Sequence, residues 1–186
     1  MAQQYDKLDV RLHKIIAAQH IFFTATAAEG TRINISPRST EWFRAIDDNT
    51  ALYLDQTGSG NETAAHLPAD GRMTIMMCSF DAAPMILRLY GKGDVIPYTH
   101  ADYATLKTNY FDGREPAGAR QIVRLRFDLV QTSCGYGVPH FAYESERDTL
   151  TKWAQDRSPD DMRAYRAKKN AKSIDGLPTW AAGEAE

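Results

Sequence analysis

Cysteine is scarce in this sequence, with only Cys78 and Cys134 among 186 residues. Neither belongs to a CxxC motif or a cysteine–histidine cluster, which argues against a zinc site. Long apolar runs are also absent, since none approaches the roughly 20 residues that a membrane-spanning helix needs. Residues 1–14 are polar and lack the apolar centre of a secretory signal peptide. These absences predict a cytoplasmic protein that has neither a metal site nor a membrane segment.

A strong excess of charge of one sign is missing as well. The formal net charge is −2, so the chain has no overall attraction to nucleic acids or anionic membranes. Hydrophobic residues make up 43% of the sequence and charged residues 25%, which is typical of a globular protein. The length suits one domain over residues 1–186, with a sizeable core.

Strand-like stretches recur along the chain and are separated by short turns. Val123, Leu125, Phe127 and Leu129 alternate with polar residues, for example, as in a strand with one buried face. Short turns between strands favour an antiparallel barrel over a doubly wound sheet. We therefore predict a mainly β fold with peripheral helices and about six antiparallel strands. The predicted strands cover residues 21–27, 32–36, 51–54, 73–80, 86–96 and 121–130, and the main predicted helices cover residues 5–19, 99–110, 146–155 and 159–172.

Smaller features of the fold follow from single residues. Glycines at positions 91 and 93, inside a predicted strand, indicate a bulge or a sharp bend. Residues 41–46 are interpreted as a helical turn. The helices within residues 146–172 are predicted to pack on the barrel, with Ser158 as the N-cap of the second. The tail from Ala181 onward is expected to fray.

A glycine-rich turn follows the predicted strand at Ala51–Leu54 and leads into a short helix that we expect Pro68 to end. The spacing of Ser59 and Glu62 matches a capping box, which predicts Ser59 as the N-cap. A helix N-terminus offers free backbone N–H groups and the positive end of the helix dipole, so a phosphate can bind there. The alternative interpretation is a well-capped turn without a ligand.

Several segments together resemble the pyridoxamine-phosphate-oxidase-like FMN-binding split barrels. They read RINISPR, YLDQTGSGNETAAHL, DGRMTIMMCSF and MILRLYGKGDV, while QTSCGYGVP and YRAKKNAKSIDGLP are similar to one branch of that family. The resemblance covers roughly residues 8–178. It implies a split β-barrel that forms a homodimer, with FMN bound at the interface between the subunits.

The resemblance also implies where the FMN phosphate binds. Arg32 and Arg38 supply the main local positive charge, because the turn has Gly60-Asn61-Glu62 where the true oxidases have a basic residue. We expect Arg38 to lie at a loop edge outside the core, and His66 to have a surface or capping role. The cofactor-binding candidates are Asn34, Ser36 and Arg38 on the strand, and Thr57, Gly58, Ser59, Gly60, Asn61 and Thr63 at the turn.

The substrate is not implied by the resemblance. The true oxidases end in a segment rich in arginine and tryptophan that binds pyridoxamine phosphate, whereas this chain continues with predicted helices and IDGLPTW. We therefore predict an FMN-dependent oxidoreductase for an unknown small substrate, and not a true pyridoxamine-phosphate oxidase. Since no catalytic acid–base pair is evident, the alternative is a module that binds or senses a flavin, a deazaflavin or haem without turnover.

The homodimer is also expected from the residues themselves. Two neighbouring predicted strands carry more apolar side chains than one barrel interior takes, because each strand turns only one face inward. A second copy of the chain is the simplest cover for the other face. The residues concerned are Met73, Met76, Met77, Phe80, Met85, Leu87 and Leu89.

Overall fold

The computed structural model describes residues 2–185, which form one antiparallel sheet curled into a half-barrel with five helices around it. The strand order is β3-β2-β6-β7-β8-β5-β4, and β1 pairs with β8. The strands are β1 Gln3–Tyr5, β2 Ile21–Thr26, β3 Asn34–Ser39, β4 Phe43–Ala45, β5 Thr50–Gln56, β6 Arg72–Cys78, β7 Met85–Pro97 and β8 Ala119–Cys134. The helices are α1 Val10–Ala17, α2 Glu62–Ala69, α3 Ala101–Phe111, α4 Thr149–Gln155 and α5 Pro159–Lys169.

This architecture confirms the predicted fold class. Six strands have six or more residues, and β1 and β4 have three each. Every strand pairing is antiparallel. Within the described residues the longest helices have 11 residues, and none is long and apolar enough to cross a membrane.

The main core lies on the concave face of the sheet. Leu12 and Ile16 of α1 close one end of this core, since both are buried against side chains from β2 and β5 to β8. Met73, Met77, Leu87 and Leu89 point into the same cluster. Met76, Phe80 and Met85 are only half-buried. Met76 of β6 and Ile86 of β7 lie on the opposite face and are half-buried, so both strands also carry apolar side chains on the face away from the core.

Gly91 allows β7 and β8 to approach each other closely. The pairing register shifts between Tyr90 and Gly91, which confirms the predicted bulge. A Cβ atom at Gly91 would lie 2.0 Å from the Arg126 carbonyl oxygen and 2.5 Å from the Phe127 Cα atom. Only glycine fits there, because real Cβ atoms do not approach backbone atoms so closely.

Several boundaries differ from the predictions. Asn61, not Ser59, is the N-cap of α2, and Pro68 lies inside the last turn without ending the helix. Residues 40–42 form a 3-10 turn, after which the chain enters β4. Ser158 does cap α5, through a capping box with Asp161. The turn at Gly58–Gly60 is held by hydrogen bonds from the distant residues Arg120 and Asn170. A local sequence pattern cannot reveal such contacts.

The C-terminal tail differs most from its prediction, which is that the chain frays from Ala181 onward. Trp180–Ala185 forms a 3-10 turn, and Ala181 is fully buried. Arg166 Nε donates to Glu184 Oε2 at 2.6 Å, in an ion pair that is almost completely buried. The described part of the tail is therefore held against the domain and does not fray.

Candidate cofactor-binding site

A cavity of about 290 Å³ lies between β3 and the glycine turn that precedes α2. Gln56, Glu62, Arg120 and Leu150 complete its lining. Of the nine residues predicted from the sequence, Thr57 does not line the cavity. It is buried, and its backbone N–H donates to Gly118 O at 2.8 Å. The fold thus gathers eight of the nine predicted residues around one space: Asn34, Ser36, Arg38, Gly58, Ser59, Gly60, Asn61 and Thr63.

Arg38 is more deeply placed than the sequence predicts. It lies on the edge strand β3, but only 22% of its side chain is exposed, and its guanidinium forms an ion pair with Asp55. The same group stacks over the Tyr53 ring, 4.9 Å from the ring centre. The expectation of an arginine outside the core is wrong, because Asp55 draws the side chain inward.

Asp55 is the centre of a buried network behind the cavity. Arg120 Nε donates to Asp55 Oδ2 at 2.9 Å, and Gln121 Nε2 donates to the same oxygen at 2.7 Å. Burial alone would raise the pKa of the Asp55 carboxyl, but Arg120 and Arg38 outweigh burial and hold the pKa below its ordinary value. The carboxylate is therefore charged at neutral pH and accepts hydrogen bonds only.

The same network fixes the glycine turn. Arg120 Nη1 donates to Gly60 O at 2.9 Å and to Asn170 Oδ1 at 2.9 Å. Asn170 Nδ2 in turn donates to Gly58 O at 3.0 Å. The sequence does not reveal the role of Arg120 and Asn170, because the contacts join positions 50 to 112 residues apart.

Three residues that line the cavity carry a buried hydrogen-bonding atom without a partner. Within the described residues, these atoms are Arg38 Nε, Asn61 Nδ2 and Thr63 Oγ1, and the other buried atoms without a partner, which include Tyr53 OH, lie outside the cavity lining. The guanidinium and amide nitrogens can only donate, and the hydroxyls can donate. Burial raises the pKa of the Tyr53 phenol to about 12, so this group stays protonated at neutral pH. Each such group left unsatisfied costs about 1–3 kcal/mol, so the cavity suits a ligand whose atoms accept, such as a phosphate.

Glu62 lines the cavity but does not form the capping box that its spacing from Ser59 predicts. Its carboxylate accepts from the Ile174 backbone N–H at 3.1 and 3.2 Å. The Asn61 side chain makes no hydrogen bond to cap α2. The helix N-terminus, with the positive end of its dipole, therefore faces the cavity without a side-chain cap.

A larger cavity of about 660 Å³ adjoins the first and shares Arg38, Gln56 and Leu150 with it. Its walls include Phe80 and two aromatic side chains, Phe141 and Tyr143, from residues 139–148, a stretch without regular secondary structure. His20 and Tyr143 stack there, with ring centres 3.8 Å apart and an angle of 6° between the planes. The joined cavities thus have a donor-rich end and an aromatic end, a combination that suits a phosphorylated planar ring.

His66 lies inside the domain, which corrects the predicted surface or capping role. Only 1% of the residue is exposed, and its Nδ1 atom lies 3.1 Å from Thr26 Oγ1. It lines neither of the two cavities. The histidine nearest the glycine turn is therefore not placed to exchange a proton with a ligand there.

An antiparallel half-barrel with a donor-rich cavity beside its edge strand defines the split-barrel class. The family model for pyridoxamine 5'-phosphate oxidase matches residues 8–134, and the chain belongs to this family. Among curated proteins, the pyridoxamine 5'-phosphate oxidase family protein UstO of Aspergillus flavus is 34% identical over 190 residues. That alignment covers 94% of this chain and 76% of UstO.

Solved structures agree on the fold. HupZ of Group A Streptococcus has a TM-score of 0.51 at 16% identity, covering 66% of this chain and 91% of HupZ. A pyridoxamine 5'-phosphate oxidase-like protein of Lactobacillus delbrueckii has a TM-score of 0.53 at 14% identity, covering 68% and 94% of the two chains. At such low identity these similarities support the fold alone.

Proposed function

We propose that this protein binds FMN, with the phosphate in the smaller cavity and the isoalloxazine ring in the larger one. The observation that carries the proposal is the set of buried donors without partners at the smaller cavity. Arg38, Asn61 and Thr63 would hold the phosphate oxygens, with Tyr53 behind them. Membership of the pyridoxamine 5'-phosphate oxidase family supports a flavin as the cofactor.

We further propose that the protein is an FMN-dependent oxidoreductase acting on a small substrate. Bound FMN supplies hydride or electron transfer, and the protein binds it, orients it and shields it from water. The aromatic cavity supports this function, because its apolar walls suit a planar ring. The second candidate is a module that binds or senses a flavin, a deazaflavin or haem without turnover. This candidate is favoured by the lack of an evident catalytic acid–base pair in the sequence, and by His66, which lines neither cavity.

The proposed active form is a homodimer with FMN at the interface. Ile33 and Ile35 are 72% and 65% exposed beside the cavity-lining residues of β3. In the pairing register Phe23 of β2 lies next to Met76 of β6, and both are only half-buried. An apolar outer face next to the cavity is what a composite site between two copies requires. A cytoplasmic location stays a prediction.

The test is a titration of the purified protein with FMN, followed through quenching of flavin fluorescence. We expect saturable binding that is tighter than the binding of riboflavin, which lacks the phosphate. Absence of saturable binding of either flavin would overturn the proposed cofactor. Reduction of bound FMN by NADH or NADPH, with fast reoxidation by an added acceptor, would support the oxidoreductase, whereas a bound flavin that neither nicotinamide reduces would favour the module without turnover.

A further inference from the structure

The C-terminal 3-10 turn reaches the smaller cavity through a row of three side chains. Trp180 Nε1 donates to Gln121 Oε1 at 2.6 Å, and Gln121 Nε2 donates to Asn61 Oδ1 at 3.1 Å. Gln121 is fully buried and Asn61 is 2% exposed. Asn61 lines the cavity, but Gln121 and Trp180 do not. Gln121 and Trp180 can therefore influence a ligand in the cavity only through Asn61.

The chemistry of the row fixes the direction of each hydrogen bond. An indole N–H can only donate, so the Gln121 atom that faces it is the amide oxygen. The Gln121 NH₂ group then faces Asp55 Oδ2 at 2.7 Å, and a carboxylate only accepts. Both neighbours thus select the same orientation of the Gln121 amide. By the same rule the Asn61 atom that accepts from Gln121 is its oxygen, which assigns the other atom as the NH₂ group.

We propose that Trp180 and Gln121 are positioning residues that keep the Asn61 NH₂ group turned toward a phosphate in the cavity. The inference rests on the proposed function. Asn61 Nδ2 is buried and has no partner in the part of the chain that the structure describes. A flipped Asn61 would turn its amide oxygen toward the phosphate, and two acceptors repel each other. The row therefore makes the site selective for a phosphorylated ring over the same ring without phosphate.

The turn that carries Trp180 is held in place by other contacts. Tyr98 OH donates to Glu184 Oε1 at 2.6 Å, and Arg166 pairs with the same carboxylate. The Trp180 ring packs edge-on against Tyr98, with ring centres 5.8 Å apart. Loss of the indole N–H alone should therefore leave the turn folded, so that Trp180→Phe tests the hydrogen bond and not the packing.

The experiment compares the affinities of Trp180→Phe and the parent for FMN and for riboflavin by fluorescence quenching. We expect the affinity for FMN to fall about fivefold to tenfold, the range for one ordinary hydrogen bond, while the affinity for riboflavin stays the same. In the variant Gln121 keeps only Asp55 as an orienting partner, so it holds the Asn61 amide less firmly. Asn61→Ala should cause a similar loss, and Trp180→Phe should add nothing in that background, since both act through one amide. Trp42→Phe is the matched control, because Trp42 packs near Phe111 and lines neither cavity.

Each outcome bears on a different claim. An unchanged ratio of FMN to riboflavin affinity in Trp180→Phe, or additive losses in the double variant, would overturn the inference while the proposed function stands. A parent protein that binds neither flavin would overturn the proposed function, and the inference with it. If Trp180→Phe does not fold, benzothienylalanine at position 180 keeps the ring shape without the N–H, and the same change in ratio is expected.

Discussion

Arg120 and Asp55 form an ion pair in the interior, with Arg120 Nε 2.9 Å from Asp55 Oδ2 and both side chains almost completely buried. Such a pair adds little net stability, because desolvation offsets the attraction, but removing one partner is strongly destabilising. Here the pair joins β5 to β8 just before the glycine turn. Arg120 also donates to the turn itself at Gly60 O. We therefore interpret the pair as the feature that fixes the turn beside β3.

Replacing Arg38 tests the phosphate site. Arg38→Ala should weaken FMN binding by about 1.5–3 kcal/mol, the range for a hydrogen bond to a charged group. The free energy of unfolding should also fall, since Asp55 loses one of its two cationic partners. The variant should still fold because Arg120 remains. The measurements are FMN titration and urea unfolding.

The control for Arg38 is Arg44→Ala, which removes a guanidinium that stacks over Phe111 and lines neither cavity. We expect this variant to keep the parent's affinity for FMN. Equal affinity in Arg38→Ala and the parent would show that the phosphate lies elsewhere.

Acid should weaken the fold through Asp55. Arg120 and Arg38 hold the pKa of this carboxyl below its ordinary value of 3.8 despite its burial. A depressed pKa contributes stability that is present above the unfolded value and is lost as the pH falls through the folded value. We expect the free energy of unfolding to fall as the pH drops below about 4.

Asp55→Asn should be less stable than the parent at neutral pH and should lose less stability in acid. Urea unfolding between about pH 7 and pH 3 measures both effects. Asp148→Asn is the control, because its carboxylate is 67% exposed and an exposed ion pair contributes little. A parent and an Asp55→Asn variant with the same pH dependence would contradict the assignment.

Gly91→Ala should destabilise the protein by about 3 kcal/mol or more, the upper end of the cost of overpacking. The new methyl group would meet the β8 backbone at Arg126 and Phe127, so the strands would have to separate. Thermal or urea unfolding measures the change. Gly137→Ala is the control, since a Cβ atom there meets nothing within 4 Å; similar stabilities of the two variants would refute the close approach of β7 and β8.

We predict no pyridoxamine-phosphate oxidase activity. Beyond residue 134, where the family match ends, the described chain continues with α4, α5 and a 3-10 turn. The resemblance implies that the true oxidases have a segment rich in arginine and tryptophan at this point, where the described residues of this chain form these helices instead. The assay follows the aldehyde product with the FMN-loaded protein. Turnover at about 1 per second or faster, as in ordinary enzymes, would overturn the prediction.

Dimerisation and FMN affinity should be linked, because a ligand that binds only the dimer stabilises it by mass action. Ile35→Glu should weaken both, since it places a charge on the exposed outer face of β3. Light scattering across a dilution series, with and without FMN, measures the linkage. Val10→Glu, at an equally exposed position on α1, should change neither property. A stable monomer that holds FMN with full affinity would rule out a composite site.

The sequence predicts the strands well because each carries its own signal. The alternation around Val123 gives β8, and Gly91 marks the bulge. The candidate cavity is also predictable, since the family pattern concentrates in β3 and the glycine turn. The hydrogen-bond network behind the cavity, by contrast, is not predictable from the sequence. Asp55 pairs with side chains more than 60 residues later, and no local period records which distant residues meet. The prediction of a frayed tail is wrong for the same reason, because the local sequence does not show that Glu184 pairs with the buried Arg166.

The reach of Asn170 back to Gly58 spans 112 residues, and Trp180 and Glu184 follow still later in the chain. The ribosome therefore synthesises the glycine turn early, but the contacts that support the turn cannot form until the tail has left the ribosome. During that interval β3 and β5 can already pair with their neighbours while the phosphate cavity is still unformed. Under the proposed function, loading of the flavin is then one of the last events of maturation, and termination before residue 170 should yield a chain with most of the sheet but without the contacts that support the cavity.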